Sequence, residues 1–433
     1  MEPSPVNRLA ARISGRRLTR RRALAAGGAG LAAILNRDRL QPARVRAQAA
    51  TPAAASGDNL PPHVPAWMRA PGAPPSPYGE RAPAEARIVR LAPNPVVSFS
   101  PLQDLHGTLT PNALFYEIHF GGIPAIDQAA HRLMVHGLVD RPTLFTMDDL
   151  KRFPAVSVVH FLECSGNSSS EWNQATMGKT VQQTHGWTSC AEWTGVPVAT
   201  ILREVGLQPG GTWLYAEGAD AAGLNRSIPT AKAMVDGLLA YAANGEDLRP
   251  SQGFPLRLLL PGYEGNANVK WLRRLKVGRE PWQTRWETVH YTDLMPDGTA
   301  RQFTFVMEAK SVITFPSGGQ RLGGPGFVDV TGLAWSGRGR ITTVEVSTDG
   351  GATWQAATLQ EPVLPICWTR FQFPWTWDGN PARLLSRAID ETGYVQPTLE
   401  QLAAVRGVNS FYHNNAIKTW AVAATGEVSN GDA

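Results

Sequence analysis

The sequence predicts an α+β domain over residues 106–298, followed by an all-β sandwich over residues 299–425. In the first region, strand-like apolar runs at 132–139 and 157–162 flank a short helical pattern at 147–153. In the second, short strands recur at fairly even spacing between turn residues, as in antiparallel sandwiches. Its clearest hairpin joins 344–347 to 353–356 through an Asp-Gly turn.

Residues 1–49 are predicted to be a twin-arginine signal peptide. Thr19-Arg20-Arg21-Arg22-Ala23-Leu24 precedes an apolar stretch at 23–35, which is too short to span a bilayer. Ala47-Gln48-Ala49 is a candidate cleavage site, although a basic disordered tail would be the simpler interpretation. This route exports folded proteins, so we expect a periplasmic protein that acquires any cofactor before export.

The positive charge of the chain belongs to this leader. Residues 1–49 hold eleven arginines and two acidic residues, which leaves 30 basic and 34 acidic residues for the rest of the chain. The remaining net charge of −4 gives no indication of a nucleic-acid-binding protein.

Local patterns predict the remaining elements. Residues 50–105 form a proline-rich extended arm, because eight prolines fall within 51–80. Helices are expected at 198–205 and 230–239, and a buried strand at 256–262. After a helix, the segment 398–425 is expected to become irregular, with 426–433 as a tail, and no membrane span is expected.

The number and spacing of the three cysteines limit which cofactors this chain can bind. Cys164, Cys190 and Cys367 form no CxxC or CxxCH motif, which excludes covalent c-type haem on this chain and argues against a cysteine-rich zinc or iron–sulfur site. An exported protein could pair two of them and leave one over. Cys164 ends a strand-like run before a polar, glycine-containing loop. A buried structural thiol, a nucleophile with His160 as its base, and a metal ligand all remain open.

The segment 258–274 offers groups that suit an anionic cofactor. Gly262 and Gly265 permit close backbone approach, while Lys270, Arg273 and Arg274 supply positive charge. A turn followed by a solvated basic helix explains the same segment without a ligand.

Several motifs carry a family resemblance in the same chain order. They are 161–167 (FLECSGN), 253–257 (GFPLR), 261–265 (PGYEG) and 269–272 (VKWL), then 334–337 (AWSG), 349–354 (DGGATW) and 390–397 (DETGYVQP). Together they resemble the sulfite oxidase family of molybdenum enzymes from about residue 106 to 423. Within that family, 291–294 (YTDL) and 412–416 (YHNNA) are most similar to the molybdenum subunit of sulfane dehydrogenase.

The resemblance implies that residues 106–298 are a molybdopterin-binding catalytic domain and residues 299–425 an immunoglobulin-like dimerisation domain. It implies a molybdenum held by a pterin dithiolene, oxo groups and the Cys164 thiolate, with Tyr291 as a second catalytic residue. The implied cofactor-binding residues are His119, Ser227, Gln252, Arg257, Asn268 and Lys270. Two-electron oxidation without haem on this chain implies a c-type cytochrome as acceptor, and a homodimer or a heterotetramer with that cytochrome.

The chain departs from the family pattern where substrate arginines are expected. Ile118, Ser169 and Thr419 stand at or near those positions. A small dianion such as sulfite favours bidentate arginines, so the departures favour sulfane sulfur on a carrier protein. Arg226 or another basic group could fill the space, which keeps free sulfite as the alternative. A sulfoxide-type reductase, a non-catalytic binding protein of this fold and a cysteine hydrolase rank lower.

Overall fold

A computed structural model describes residue 68 and residues 71–172, 178–407 and 410–431. The predicted leader and its cleavage site lie outside the described residues. The chain divides into two units, Met1–Glu80 and Arg81–Ala433. In the first, residues 71–80 are exposed and irregular; everything below concerns the second.

The N-terminal half of the second unit is built on three small sheets. Its strands are β1 (Leu91–Asn94), β2 (Val97–Phe99), β3 (Glu117–Ile118), β4 (Leu133–Gly137), β5 (Thr143–Phe145), β6 (Val156–Glu163), β7 (Thr188–Pro197), β8 (Trp213–Gly218), β9 (Asn225–Pro229), β10 (Leu238–Ala243), β11 (Glu246–Asp247), β12 (Arg257–Leu259) and β13 (Leu272–Gly278). The sheet orders are β1-β2-β3, β11-β10-β7-β6 with β12 on β10, and β5-β4-β13-β8-β9.

Short helices connect these strands: α1 (Met147–Lys151), α2 (Val181–His185), α3 (Val198–Glu204), α4 (Thr230–Asp236) and α5 (Arg285–Thr288). The first begins where sequence reasoning places it, because Thr146 and Asp149 form a reciprocal capping box. Leu133, Ile201, Leu214 and Leu275 lie in the apolar core between the sheets.

The C-terminal half is a β-sandwich, as predicted. Its strands are β14 (Asp293–Leu294), β15 (Ala300–Arg301), β16 (Lys310–Phe315), β17 (Gly326–Trp335), β18 (Ile341–Ser347), β19 (Gln355–Ala356), β20 (Thr358–Leu359), β21 (Thr369–Trp377), β22 (Ala382–Asp390), β23 (Thr419–Val422) and β24 (Val428–Asn430), with helix α6 (Leu399–Arg406) between β22 and β23. Beyond the β14-β15 ribbon, the two sheets run β16-β17-β21-β20 and β19-β18-β22-β23-β24. The Asp-Gly hairpin is present, with Glu345 opposite Ala356.

Four local expectations differ from the structure. The segment 81–105 is not a plain arm, because β1 and β2 pair with each other and β2 pairs with β3. The helix predicted over 230–239 stops at Asp236, and Leu238 begins a buried strand. The basic segment after residue 271 is β13, which lies between β4 and β8. Part of the predicted tail is β24, paired with β23, so the chain after 406 is not simply irregular.

The apolar cores of the two halves are continuous. One buried cluster joins Phe161 and Cys190 of the N-terminal half to Trp335, Trp368 and Phe371 of the sandwich. Among the described residues, no helix is long and apolar enough to cross a bilayer.

Candidate active site

Strand β6 delivers Cys164 to the wall of a cavity. Burial along β6 increases towards its end, so the chain enters the interior just before this residue. The Cys164 amide donates to the carbonyl of Trp187 (3.0 Å), and the Asn167 amide returns to the Cys164 carbonyl (2.9 Å). The Gly166 amide lies 3.4 Å from Sγ, which leaves the sulfur at the start of a tight turn. Cys164 is partly exposed and lines the cavity.

Glu163 fixes this turn from the sandwich side. Its fully buried carboxylate accepts from Lys310 Nζ (2.6 Å), Trp335 Nε1 (2.7 Å) and Asn167 Nδ2 (2.9 Å). Lys310 opens β16 and Trp335 ends β17, so two strands of the sandwich hold the residue that precedes the cysteine. The position of Cys164 therefore depends on both halves of the chain.

The glycine-rich loop 262–265 packs against this turn, and its Gly265 lines the cavity. A Cβ on Gly265 would lie 2.8 Å from the Tyr116 hydroxyl and 3.0 Å from the carbonyl of Glu163. Gly262 has φ +76°, and a Cβ there would lie 2.2 Å from the carbonyl of Gly337. Both positions need glycine because backbone approaches backbone.

The cavity brings together most of the predicted site residues. Its volume, including the mouth, is about 620 Å³. The predicted residues that line it are Cys164, Tyr291, His119, Gln252, Arg257, Asn268 and Lys270. Ser227 is not among the lining residues. Its hydroxyl donates to Glu287 (3.0 Å) and accepts from the Trp282 amide (2.9 Å), which assigns it to packing beneath α5.

A hydrogen-bonded chain supports the basic side of the cavity. Lys270 Nζ donates to His119 Nδ1 (2.8 Å), and His119 Nε2 donates to Glu117 (3.2 Å), which also pairs with Arg90. Burial and the Arg257 guanidinium lower the pKa of Lys270 to about 7. Burial also lowers the pKa of His119. Lys270 is therefore held in place by three hydrogen bonds rather than free to rotate.

Arg257 and the side-chain amides of Asn268 and Gln252 line one side of the cavity. Arg257 donates to the carbonyls of Gln252 (3.0 Å) and Asn268 (3.2 Å) and stacks 4.9 Å from the ring centre of Trp193. Asn268 donates to the carbonyls of Tyr263 and Glu264, so it shapes the glycine loop. Gln252 donates to the carbonyl of Tyr116 (3.2 Å).

Aromatic side chains form part of the cavity wall. Tyr291 lies against Tyr412, with ring centres 5.2 Å apart, and the Arg226 guanidinium lies 5.0 Å from its ring centre. Burial and the nearby Cys164 sulfur raise the pKa of Tyr291 well above its usual value. Phe120 also lines the cavity and is about half exposed.

The sequence analysis did not predict that Glu264 forms a buried cluster with Arg226 and His413. Glu264 accepts from Arg226 Nη2 (3.1 Å) and from His413 Nε2 (3.2 Å). Burial opposes ionisation of Glu264, yet Arg226 and His413 lower its pKa to about 2. Tyr116, another cavity residue, was also missed. Glu264 lies within the PGYEG motif and His413 within YHNNA, but neither motif predicts that the two side chains meet.

The geometry does not support a cysteine nucleophile. Burial raises the pKa of the Cys164 thiol to about 12, with Glu264 and Glu163 adding to the effect, whereas a nucleophile needs a lowered pKa. The proposed base, His160, instead donates from Nδ1 to the carbonyl of Ile366 (3.2 Å). The hydrolase alternative therefore loses its geometric basis.

The donor set fits a pterin cofactor with one protein thiolate. Arg257 Nε and Asn266 Oδ1 are buried in the lining without a protein partner, so both can bond to a polar ring system. Lys270 and Arg257 suit its phosphate, and the Cys164 thiol suits a soft or high-valent metal.

Comparisons with known proteins agree with this geometry. The family described as "Oxidoreductase molybdopterin binding domain" matches residues 120–286, and "Mo-co oxidoreductase dimerisation domain" matches 301–420. Mitochondrial sulfite oxidase of Homo sapiens is 33% identical over 327 residues, covering 70% of this chain and 60% of that protein. Sulfite oxidase of Gallus gallus is 32% identical, covering 70% of this chain and 71% of its own length.

A solved structure matches a larger share of the chain than these relatives do. The sulfane dehydrogenase SoxCD from Paracoccus pantotrophus has a chain 44% identical to this one, with a TM-score of 0.83. The match covers 88% of this chain and 100% of that chain, whereas the human relative is spanned only in part. The predicted fold class, molybdenum–molybdopterin cofactor and oxidoreductase class are confirmed.

Proposed function

We propose that this chain, which belongs to the sulfite oxidase family of molybdopterin enzymes, oxidises sulfane sulfur attached to a carrier protein by oxygen-atom transfer. Cys164 is the proposed metal ligand and Tyr291 the second catalytic residue. His119, Gln252, Arg257, Asn268 and Lys270 are the proposed cofactor-binding residues.

The charged side chains that line the cavity favour a carrier-bound substrate over free sulfite. Among the described residues lining the cavity, the cationic or potentially cationic side chains are His119, Arg257 and Lys270, and all three are assigned to the cofactor. Ile118, at the position where a substrate arginine is expected, also lines the cavity. Free sulfite would lack the bidentate guanidinium that a small dianion favours. A neutral sulfur presented by a carrier has no such requirement.

The residues of the chain position the reactants. The buried ion pair between Glu163 and Lys310 fixes the Cys164 turn. Lys270 and Arg257 orient the anionic end of the cofactor. Molybdenum held by Cys164 would supply a transferable oxygen and accept two electrons. Tyr291 lines the cavity, where its hydroxyl can hydrogen-bond to the oxygen that sulfur gains, and Tyr412 packs against its ring.

The net reaction requires an electron acceptor. Sulfur gains one oxygen from water, and two electrons and two protons are released. Because this chain has no haem-attachment motif, we propose a c-type cytochrome as acceptor, in a homodimer or a heterotetramer with that cytochrome. The twin-arginine motif at 19–24 supports a periplasmic location for this assembly.

Cytochrome c reduction per bound molybdenum tests the proposal. We expect turnover with a protein-bound cysteine persulfide to exceed turnover with free sulfite by at least about tenfold. Cys164→Ser is the control, because it removes the thiolate and should abolish both reactions with loss of molybdenum. Sulfite turnover equal to or faster than persulfide turnover would refute the carrier assignment.

Free sulfite oxidation is the second candidate, and Arg226 favours it. Its guanidinium lies close to Tyr291, and Nη1 is buried without a hydrogen-bond partner. If this cation serves an anionic substrate, Arg226→Gln should raise the KM for sulfite strongly while leaving molybdenum content unchanged. Arg226 is, however, paired with Glu264 and lies near Glu287, and these contacts argue against a role in binding an anionic substrate.

A further inference from the structure

The two cysteines outside the cavity lie against each other. Cys190 Sγ is 3.5 Å from Cys367 Sγ, although the residues are 177 positions apart in the chain. Cys190 lies on β7 of the molybdopterin-binding domain, and Cys367 lies just before β21 of the sandwich. Both are fully buried in the apolar cluster that joins the two halves.

Hydrogen bonds hold both sides of this contact in register. The Ile366 carbonyl accepts from the Phe161 amide (3.1 Å) and from His160 Nδ1 (3.2 Å) on β6. On the other side of Cys367, Trp368 Nε1 donates to the Thr188 hydroxyl (3.2 Å) on β7. The sulfurs therefore meet because the surrounding backbone brings them together.

We propose that Cys190 and Cys367 form a disulfide in the mature protein, which covalently links the molybdopterin-binding domain to the sandwich. A disulfide bond is about 2.05 Å long, so the sulfurs must approach by about 1.5 Å. Side-chain rotation and a small shift of the 361–368 loop can supply this movement. The pairing also accounts for the odd cysteine, because it leaves Cys164 free for the metal.

The chemistry is thiol–disulfide exchange with a disulfide oxidant such as oxidised glutathione. One protein thiolate attacks the oxidant to form a mixed disulfide and releases one glutathione thiol. The second protein thiolate then displaces the other glutathione, which leaves as a thiol. The protein loses two electrons and two protons, and the oxidant gains both. Because both sulfurs are buried, exchange requires transient exposure of this contact, and the bond once formed is shielded from reductants.

The proposed disulfide lies close to the strand that precedes Cys164. The 361–368 loop rests on β6, which ends at Glu163 and presents Cys164. A covalent link here holds the sandwich against the strand that carries the metal ligand. We expect reduction of the bond to lower the melting temperature of the protein without removing any predicted cofactor contact.

Counting thiols in the holoprotein tests the proposal. Purified protein, incubated with oxidised glutathione, is denatured and treated with iodoacetamide before and after reduction. We expect one alkylated cysteine before reduction and three after it, read by intact mass. Peptide mapping should then find Cys190 linked to Cys367. Three alkylated cysteines before reduction, a glutathione adduct that does not resolve, or a link involving Cys164 would overturn the proposal.

Matched variants separate this bond from general thiol reactivity. Cys190→Ser should show two free thiols both before and after reduction, because Cys367 loses its partner. Cys164→Ser should show none before reduction and two after it. Reduction should lower the melting temperature of the wild type but not that of the Cys190→Ser, Cys367→Ser double variant. Equal decreases in both proteins would contradict a stabilising link.

Discussion

Replacing Lys310 with methionine tests how far the sandwich supports the metal-binding turn. Lys310 Nζ lies 2.6 Å from Glu163 Oε1, and both side chains are almost completely buried, at 1% and 0% exposure. Methionine has a similar length but carries no charge. The variant therefore leaves a buried carboxylate beside Cys164 with only Asn167 and Trp335 as donors.

The expected loss is large because a buried charge loses its counter-charge. Removing one partner of a buried ion pair typically costs about 3–5 kcal/mol, since the remaining charge stays out of water. The double variant Glu163→Gln, Lys310→Met removes both charges and keeps a carbonyl oxygen for Asn167 or Trp335. We expect it to be more stable than the single variant but about 1–3 kcal/mol below wild type, because the new amide NH2 replaces one acceptor and leaves a buried donor unpaired.

Equilibrium urea unfolding, followed by tryptophan fluorescence at matched molybdenum content, measures these differences. The control is Arg141→Met, which breaks an exposed 3.3 Å pair with Glu204 at 64% and 54% exposure. Such pairs contribute about 0–1 kcal/mol, so the control should remain close to wild type. A Lys310→Met loss below about 1 kcal/mol, or a double variant no more stable than the single one, would refute the reasoning.

Three further predictions concern catalysis, pH and export. Tyr291→Phe should retain full molybdenum but lower turnover by about tenfold or more, because only the hydroxyl is lost; unchanged turnover would remove Tyr291 from the catalytic residues. Burial opposes the ionisation of Glu117, but hydrogen bonds from His119, Ser251 and Arg90 lower its pKa from 4.5 to about 2. The stability it contributes is thus complete above about pH 4.5 and lost as the pH falls towards 2. Arg90→Gln should therefore unfold at lower urea than wild type at pH 7, with the difference shrinking towards pH 2; a pH-independent difference would exclude this cause. Arg20→Lys with Arg21→Lys should leave the protein in the cytoplasm on fractionation, and an unchanged periplasmic yield would exclude twin-arginine export.

The features predicted from sequence are those with local causes. The Asp-Gly turn specifies its hairpin within a few residues, and the Thr146 capping box starts α1. The position of Cys164 at the end of a strand follows from the apolar run before it. Four of the predicted site residues that line the cavity, Cys164, Arg257, Lys270 and Tyr291, lie within the family motifs.

The features missed from sequence depend on contacts between distant segments. Glu264 is charged and buried because Arg226 and His413 reach it from other elements, and no local pattern encodes that meeting. The family resemblance implies that Ser227 binds the cofactor, whereas in the structure its hydroxyl donates to Glu287 outside the cavity lining. Strand β13 contains three basic residues, yet it lies in a sheet because β4 and β8 cover both of its edges.

Sequence analysis predicts that the sandwich forms the dimer. On that basis, removing residues 300–433 should leave monomers. The structure predicts a different outcome. The deletion removes Lys310 and Trp335 from the buried Glu163 carboxylate and exposes the apolar cluster around Phe161. A truncated chain should therefore unfold or aggregate and fail to bind molybdenum, as judged by circular dichroism and metal analysis. A folded, molybdenum-loaded chain of residues 1–299 would show that the catalytic domain is independent and that the contacts of Glu163 with Lys310 and Trp335 are dispensable.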